Sequence, residues 1–367
     1  MRKFSTLMLL LCMTAGLFAA QRTVEDAAAI AAGFSNAQSQ QSNGMRRAPR
    51  KASDMRLSYQ VAKPNSTDPA LFVFNKPEGG WVIVSADDNA VDVLGYSNEG
   101  SFDGAKALSN TKWWLKYYAE RVAYDAEQTN KESARRASAR KAAPAKSPIA
   151  PLLDDIEWNQ GSPYNDLCPI DPADGTRCYT GCVATAAVQI MRYWKWPATG
   201  EGRMSYDWKS AAGGFGHEEV DFSTATYDWD NTLPNYEKEG VVATQAQKQA
   251  VALVNYHTGV ATQMGYGGVE SGGSGSFTWR MGEAMNEHFR YTRGTYHLND
   301  WGDTINGNAN LAAMYDVDLE AGRPILMGGG GEGFGGHDFV CDGRDGNGFY
   351  HINWGWGGGS NGYYSLA

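Results

Sequence analysis

The stretch TGCVATAAVQIMRYW, residues 180–194, decides how this chain is read. Val183, Ala187, Ile190, Met191 and Trp194 recur close to helical spacing, which predicts a helix over 182–194 with Cys182 at its first position. The N–H groups of a helix's first turn lack partners in the helix, and the helix dipole there favours a thiolate. Gly181, just before it, lets another backbone approach closely. The same pattern also suits a buried, inert cysteine, the usual fate of a free one. The helix alone leaves catalysis open.

A thiolate nucleophile needs a base, which in practice is a histidine. Gly335-Gly336-His337-Asp338-Phe339 places one at the start of a predicted strand, after a run in which seven of nine residues from Gly328 to Gly336 are glycine. Such a run is costly in backbone entropy. It reads either as a loop over which an extended substrate lies or as a flexible surface loop with an incidental histidine. Cys182 and His337 are 155 residues apart, close to the roughly 130–150 of papain-type enzymes. Further on, HINWGWGG (351–358) places Asn353 at a strand end, fit to orient an imidazole, with Trp354 and Trp356 fit to exclude water. An aromatic core edge before a glycine turn would look the same. His351 shares the face of Asn353 and reads as structural. Upstream of the cysteine, WNQG (158–161) offers Gln160, whose amide is of the kind that joins a cysteine N–H in an oxyanion hole.

Outward from these motifs the chain divides near residue 147. Residues 21–147 hold 18 Lys/Arg and 14 Asp/Glu, a net of +4, whereas residues 148–367 hold 12 and 27, a net of −15. Thirty-six of the 44 glycines and all six histidines lie in the second segment. The overall charge of −9 argues against nucleic acid as a main partner. With 42% hydrophobic and 20% charged residues the chain can bury a core. Met1–Ala20 begins with Arg2 and Lys3, runs through apolar residues and ends Phe18-Ala19-Ala20. It reads as a secretory signal peptide, too short for a membrane anchor; no other segment is long and apolar enough to span. The mature protein is expected outside the cytoplasm, where disulfides are permitted.

Thr23–Asp26 resembles a capping box ahead of a helix over 24–38. Strands are expected at 56–62, 71–75, 81–85 and 91–96, then a helix over 109–127 with a bulky face of Trp113, Trp114, Tyr117 and Tyr118. Residues 128–150 carry six Lys/Arg and few large apolar groups, and read as an exposed tether open to proteolysis. Past Asp154, helices at 243–257, 277–289 and 309–321 precede strands at 324–327, 337–342 and 348–353, an α+β order.

Together these elements resemble the streptopain-type cysteine proteases, the C10 peptidase family. The likeness runs through WNQGSPYN (158–165), TGCVATAAVQIMRYW (180–194), GYGGVESGGSGS (265–276) and GGHDFVCDGRDGNGFYHINWGWGG (335–358). GGWVIVSADDNAVDVLGYSNEGSFD (79–103) looks like the family's inhibitory propeptide, so nearly all of the exported chain is covered. The resemblance implies an α+β, papain-like catalytic domain at 151–367, behind a signal peptide (1–20), a propeptide (21–127) and a processing linker (128–150). It implies a secreted cysteine endopeptidase zymogen that cuts its own linker and acts through a thioester acyl-enzyme on protein or peptide substrates. Residue by residue, Cys182 is the nucleophile, His337 the base and Gln160 the oxyanion donor, while Asn353 and Trp354 orient or cover the histidine. Gly181, Gly272, Ser274, Gly335 and Gly336 border the substrate. The propeptide is its own inhibitory partner; no cofactor or metal is implied.

Two departures stand out. Cys168, Cys178 and Cys341 are not needed by the family's mechanism; a disulfide between Cys168 and Cys178 is left open, and Cys341 alternates with Phe339 as a buried residue. The family usually continues past Tyr363-Tyr-Ser-Leu-Ala367 with a glycine-rich segment and another strand, which leaves open a C-terminal truncation. The rival readings are a thiol acyltransferase of transglutaminase type, which uses the same Cys–His chemistry, and an inactive secreted binding protein on the same scaffold. The complete Gln–Cys–His–Asn set speaks against the second. Cys168, Cys178 and Cys182, separated by nine and three residues, fit no common zinc spacing.

Overall fold

The computed structural model of the protein describes residues 21–41, 48–107, 109–127, 146–292, 304–331 and 335–366. The expected signal peptide and the expected linker up to residue 145 lie outside them. Helix α1 (Val24–Gln41) opens on the expected box: Asp26 N–H donates to the Thr23 hydroxyl at 3.1 Å, and the Asp26 carboxylate accepts from Thr23 N–H at 3.2 Å. Strands β1 (Arg56–Ala62), β2 (Pro69–Asn75), β3 (Trp81–Ser85) and β4 (Val93–Ser97) form an antiparallel meander. β2, β3 and β4 are apolar on both faces because α1 covers one side and α2 (Ser109–Glu127) the other.

The first helix of the C-terminal region is α3 (Cys182–Trp194), buried along Val183–Met191. Burying each large apolar side chain of this kind contributes about 1.5–3 kcal/mol, which fixes the helix against its sheet. There follow the hairpin β5 (Arg203–Lys209) and β6 (Phe215–Asp221), helices α4 (Gln245–Ala261), α5 (Thr278–His288) and α6 (Thr304–Glu320), and strands β7 (Ile325–Gly331), β8 (Gly335–Arg344), β9 (Phe349–Asn353) and β10 (Gly362–Ser365).

The N-terminal and C-terminal regions share one sheet. Its order is β1-β2-β3-β4-β10-β9-β8-β7, and β4 pairs antiparallel with β10 through Tyr96↔Tyr363 and Gly95↔Tyr364. Tyr96 OH donates to Asp345 at 2.9 Å across this seam, and its ring stacks on Tyr363 at 5.1 Å. Of the expected linker, residues 146–150 run along the edge of the C-terminal region: Ile149 bridges Arg344, and Arg344 Nε donates to the Ser147 carbonyl. Arg344 also pairs with Asp316 and Glu320, and Lys146 pairs with Asp316.

The glycine run expected as a loop is strand on both sides. Gly328–Gly331 of β7 pairs with Gly335–Asp338 of β8. Cys168, Cys178 and Cys341 are buried free thiols. Cys168 and Cys178 lie in one cluster with Met264 and Tyr266, and the disulfide left open is not formed.

Candidate active site

Cys182 begins α3 behind Gly181, whose φ is +84°. A Cβ at position 181 would come within 2.5 Å of Met264 Sδ and 3.3 Å of the Ser274 carbonyl, so only glycine fits there without displacement. Two loops converge on this point. Thr180 N–H donates to the Gln160 carbonyl at 3.2 Å, which lays 158–161 beside the Cys182 turn. Ser274 Oγ donates to the Tyr179 carbonyl at 2.7 Å and accepts from Gly267 N–H at 2.9 Å, which brings in the turn at Gly272, φ +71°. Gln160 is buried, and its amide nitrogen finds no partner among the described residues. A buried donor left unpaired is costly and is available to a developing oxyanion.

His337 is elsewhere. Successive side chains of a strand point to opposite faces, and on β8 His337 and Phe339 face the N-terminal region while Val340 packs in the cluster that holds α3. The imidazole Nε2 bonds the Trp354 carbonyl at 2.9 Å, and the ring stacks on Trp356 at 4.8 Å and 7°. Trp113, Gly329, Gly335, Phe339 and Trp354 enclose it. Burial lowers its pKa to about 4, although the Trp354 carbonyl bond works against that. At neutral pH the ring is uncharged and cannot serve as counter-ion to a thiolate.

The Cys182 thiol is correspondingly unactivated. Burial pushes it up to about 11, and the Asp338 carboxyl adds to the rise. The helix terminus expected to favour a thiolate is outweighed by desolvation and a nearby carboxylate. The structure thus brings Cys182, Gly181, Gln160 and Ser274 together and holds His337 apart. Gly335 and Gly336 open β8 directly ahead of His337.

Asn353 does not touch the histidine. Its amide donates to the Ile156 carbonyl at 2.8 Å and its oxygen accepts from Gly355 N–H at 3.0 Å, so here it ties the 153–158 segment to the β9 turn. Trp354 does reach His337, through its backbone oxygen, while the ring facing the imidazole closely is that of Trp356. His351 bonds Asp342 at 2.6 Å and packs on Tyr363, away from Cys182. Sequence reasoning missed two features. Trp114 of α2 packs edge-on against Trp354 at 5.5 Å and Phe339 at 5.8 Å, covering the histidine's face of the sheet. Asp338 faces Cys182; an acidic residue ahead of the apolar Phe339-Val340-Cys341 was the available signal.

The Peptidase C10 family model matches residues 158–364, and the Spi protease inhibitor model matches residues 19–122. Streptopain of Streptococcus pyogenes serotype M1 is 34% identical over 341 residues, covering 89% of this chain and 81% of its own. The thiol protease/hemagglutinin PrtT of Porphyromonas gingivalis is 32% identical over 329 residues, covering 85% of this chain and 35% of that longer protein. Among solved structures, a fragment of Prevotella intermedia prointerpain A superposes with a TM-score of 0.65 at 29% identity, covering 85% of this chain and 91% of that one.

Proposed function

The chain belongs to the peptidase C10 family, a cysteine peptidase behind a Spi-type inhibitor domain, and from that premise we propose that it is a secreted endopeptidase zymogen held in its inactive state. What supports this reading most is the burial of His337 under Trp113 while Cys182 lies on the other side of β8. A propeptide that packs on the histidine's strand blocks catalysis by keeping base and nucleophile apart.

In the active arrangement His337 turns to Cys182 and takes its proton. The thiolate attacks the scissile carbonyl. The Cys182 N–H and the Gln160 amide hold the oxyanion. His337 then protonates the leaving amine, which departs and leaves a thioester on Cys182. Water, deprotonated by His337, attacks the thioester and frees the acid and the thiol. Asn353 takes the role of orienting His337 only after that turn. Gly181, Gly272 and Ser274 border the substrate on the cysteine's side, with Gly335 and Gly336 on the histidine's strand. Residues 1–20 direct export, and the linker at 128–150 is where the chain cuts itself. No helix among the described residues is long and apolar enough to cross a membrane.

The test compares the full-length protein with Cys182→Ala on incubation, read by intact-mass spectrometry. Cleavage between about residues 128 and 154 in the first alone is expected. Equal cutting of both removes self-processing. No cutting, with no Cys182-dependent peptide hydrolysis after an added protease has opened the linker, removes the protease reading.

A further inference from the structure

Asp338 is buried, and its two carboxylate oxygens are unequally served. Oδ1 accepts from the Thr278 hydroxyl at 2.8 Å, at the start of α5, while Oδ2 has no partner among the described residues. Its backbone N–H lies within hydrogen-bonding reach of the Cys182 sulfur, and its carboxyl is the charge that bears on that thiol. Gly328, opposite it in the hairpin, leaves the room it needs: a Cβ there would come within 2.5 Å of Thr278 Oγ1 and 2.8 Å of Asp338 Oδ1. A fitted recess therefore holds a carboxyl against the group that must become an anion. A half-satisfied buried carboxyl costs stability, and it disfavours the thiolate.

We propose that Asp338 restrains the nucleophile before activation, by holding beside Cys182 the side of β8 that His337 must come to occupy. The proposal rests on the reading of His337 as the base. Neighbouring strand residues face opposite ways, so His337 turning in and Asp338 turning out are one movement. Gly335, with φ +69°, and Gly336 precede the pair. The recess at Gly328 and Thr278 sets how firmly the inactive orientation is held. Asp338 acts through Cys182 and is a positioning residue, not a catalytic one.

Burial pushes Asp338 up to about 7, so it is anionic in the alkaline range where the thiol titrates. The other titratable groups packed around Cys182 are the Cys168 and Cys178 thiols, the Tyr206, Tyr256 and Tyr266 phenols, all raised by burial, and Glu218 of β6, which accepts from Trp208 and Tyr256. The charge that bears most on the thiol is that of Asp338.

The test is the pH profile of iodoacetamide alkylation at Cys182. The full-length chain is labelled briefly and the label is read on the Cys182 peptide of the unprocessed fraction. Asp338→Asn should lower the midpoint by about one unit, or about tenfold faster labelling on the rising limb. Thr278→Val, which frees the carboxyl without removing it, should shift the profile the same way by less. It also serves where the Asn variant misfolds, as judged by near-UV circular dichroism. Profiles that superimpose on wild type overturn the proposal. The reading it rests on fails separately, through peptide hydrolysis that survives His337→Ala.

Discussion

Trp114 carries the prediction with the most consequence. It is 3% exposed, and its ring meets Trp354, Phe339 and Tyr364 of the catalytic region at 5.5, 5.8 and 6.0 Å. It also touches Tyr117 and Tyr118 on its own helix at 6.4 and 6.0 Å. A buried Trp removes about 150–250 Å² from water, worth about 4–6 kcal/mol at ~25 cal/mol per Å². Taking about half of that burial to be against the propeptide's own side chains leaves about 2–3 kcal/mol to hold α2 to the sheet. At about 1.4 kcal/mol per tenfold, Trp114→Ala should raise the population in which His337 is uncovered by about 30–150-fold. The readout is the first-order rate of linker cleavage in dilute full-length protein, followed by intact mass, with Trp114→Ala/Cys182→Ala as the uncut control. Acceleration within that range is expected. An unchanged rate together with a lowered melting temperature would show that Trp114 stabilises the chain without guarding the histidine. Latency by separation of base and nucleophile would then be refuted.

Three other outcomes are expected. Gly181→Ala, at φ +84° and with Met264 Sδ 2.5 Å from the new methyl, should cost about 1–3 kcal/mol of stability in urea. It should also lower peptide hydrolysis by the processed enzyme well beyond the fraction unfolded; full activity refutes the close approach. Asp316 is held below the ordinary carboxylate range: burial opposes this, but hydrogen bonds from Lys146, Tyr350 and Arg344 prevail. A depressed carboxyl stabilises above its unfolded pKa of 3.8 and loses that stability as pH falls through the folded value. Asp316→Asn should therefore cost about 2–3 kcal/mol at pH 7, less than a fully orphaned buried charge because Glu320 still serves Arg344, and the deficit should shrink below about pH 4; a deficit independent of pH contradicts this. Because 146–150 is bonded to the catalytic edge, terminal sequencing of the processed protein should find a first residue at or before Lys146. A start beyond Ile149 contradicts the anchoring.

Much of this is legible in the residues. The cysteine helix and the 109–127 helix follow from apolar spacing, because each buries one face, and the strand at 81–85 follows from a short unbroken apolar run that is buried on both sides. The β5–β6 hairpin is absent from the sequence reading although β5 carries a strand signal: Met204, Tyr206 and Trp208 alternate with the exposed Arg203, Ser205, Asp207 and Lys209. Gly328–Gly331 reads as a loop since glycine has little preference for strands; pairing with β8 overrides that, and the crowding at 328 and 330 leaves no space for a side chain. The identity of the site residues follows from motif and order. Their facing does not, because His337 and Asp338 are adjacent, and which one meets Cys182 depends on the helix packed against the far side of the sheet.

The seam between β4 and β10 has a consequence for what maturation leaves behind. Cutting the tether does not release a pair of finished proteins. As long as the shared sheet stays whole, the severed propeptide remains a bound subunit, joined by backbone hydrogen bonds that run through Gly95, Tyr96, Tyr363 and Tyr364. Once it departs, each partner presents a raw strand edge of the kind that invites pairing with any extended chain. An enzyme freed in this way would carry a docking line shaped for its former inhibitor, and its latency after cleavage would be a matter of concentration.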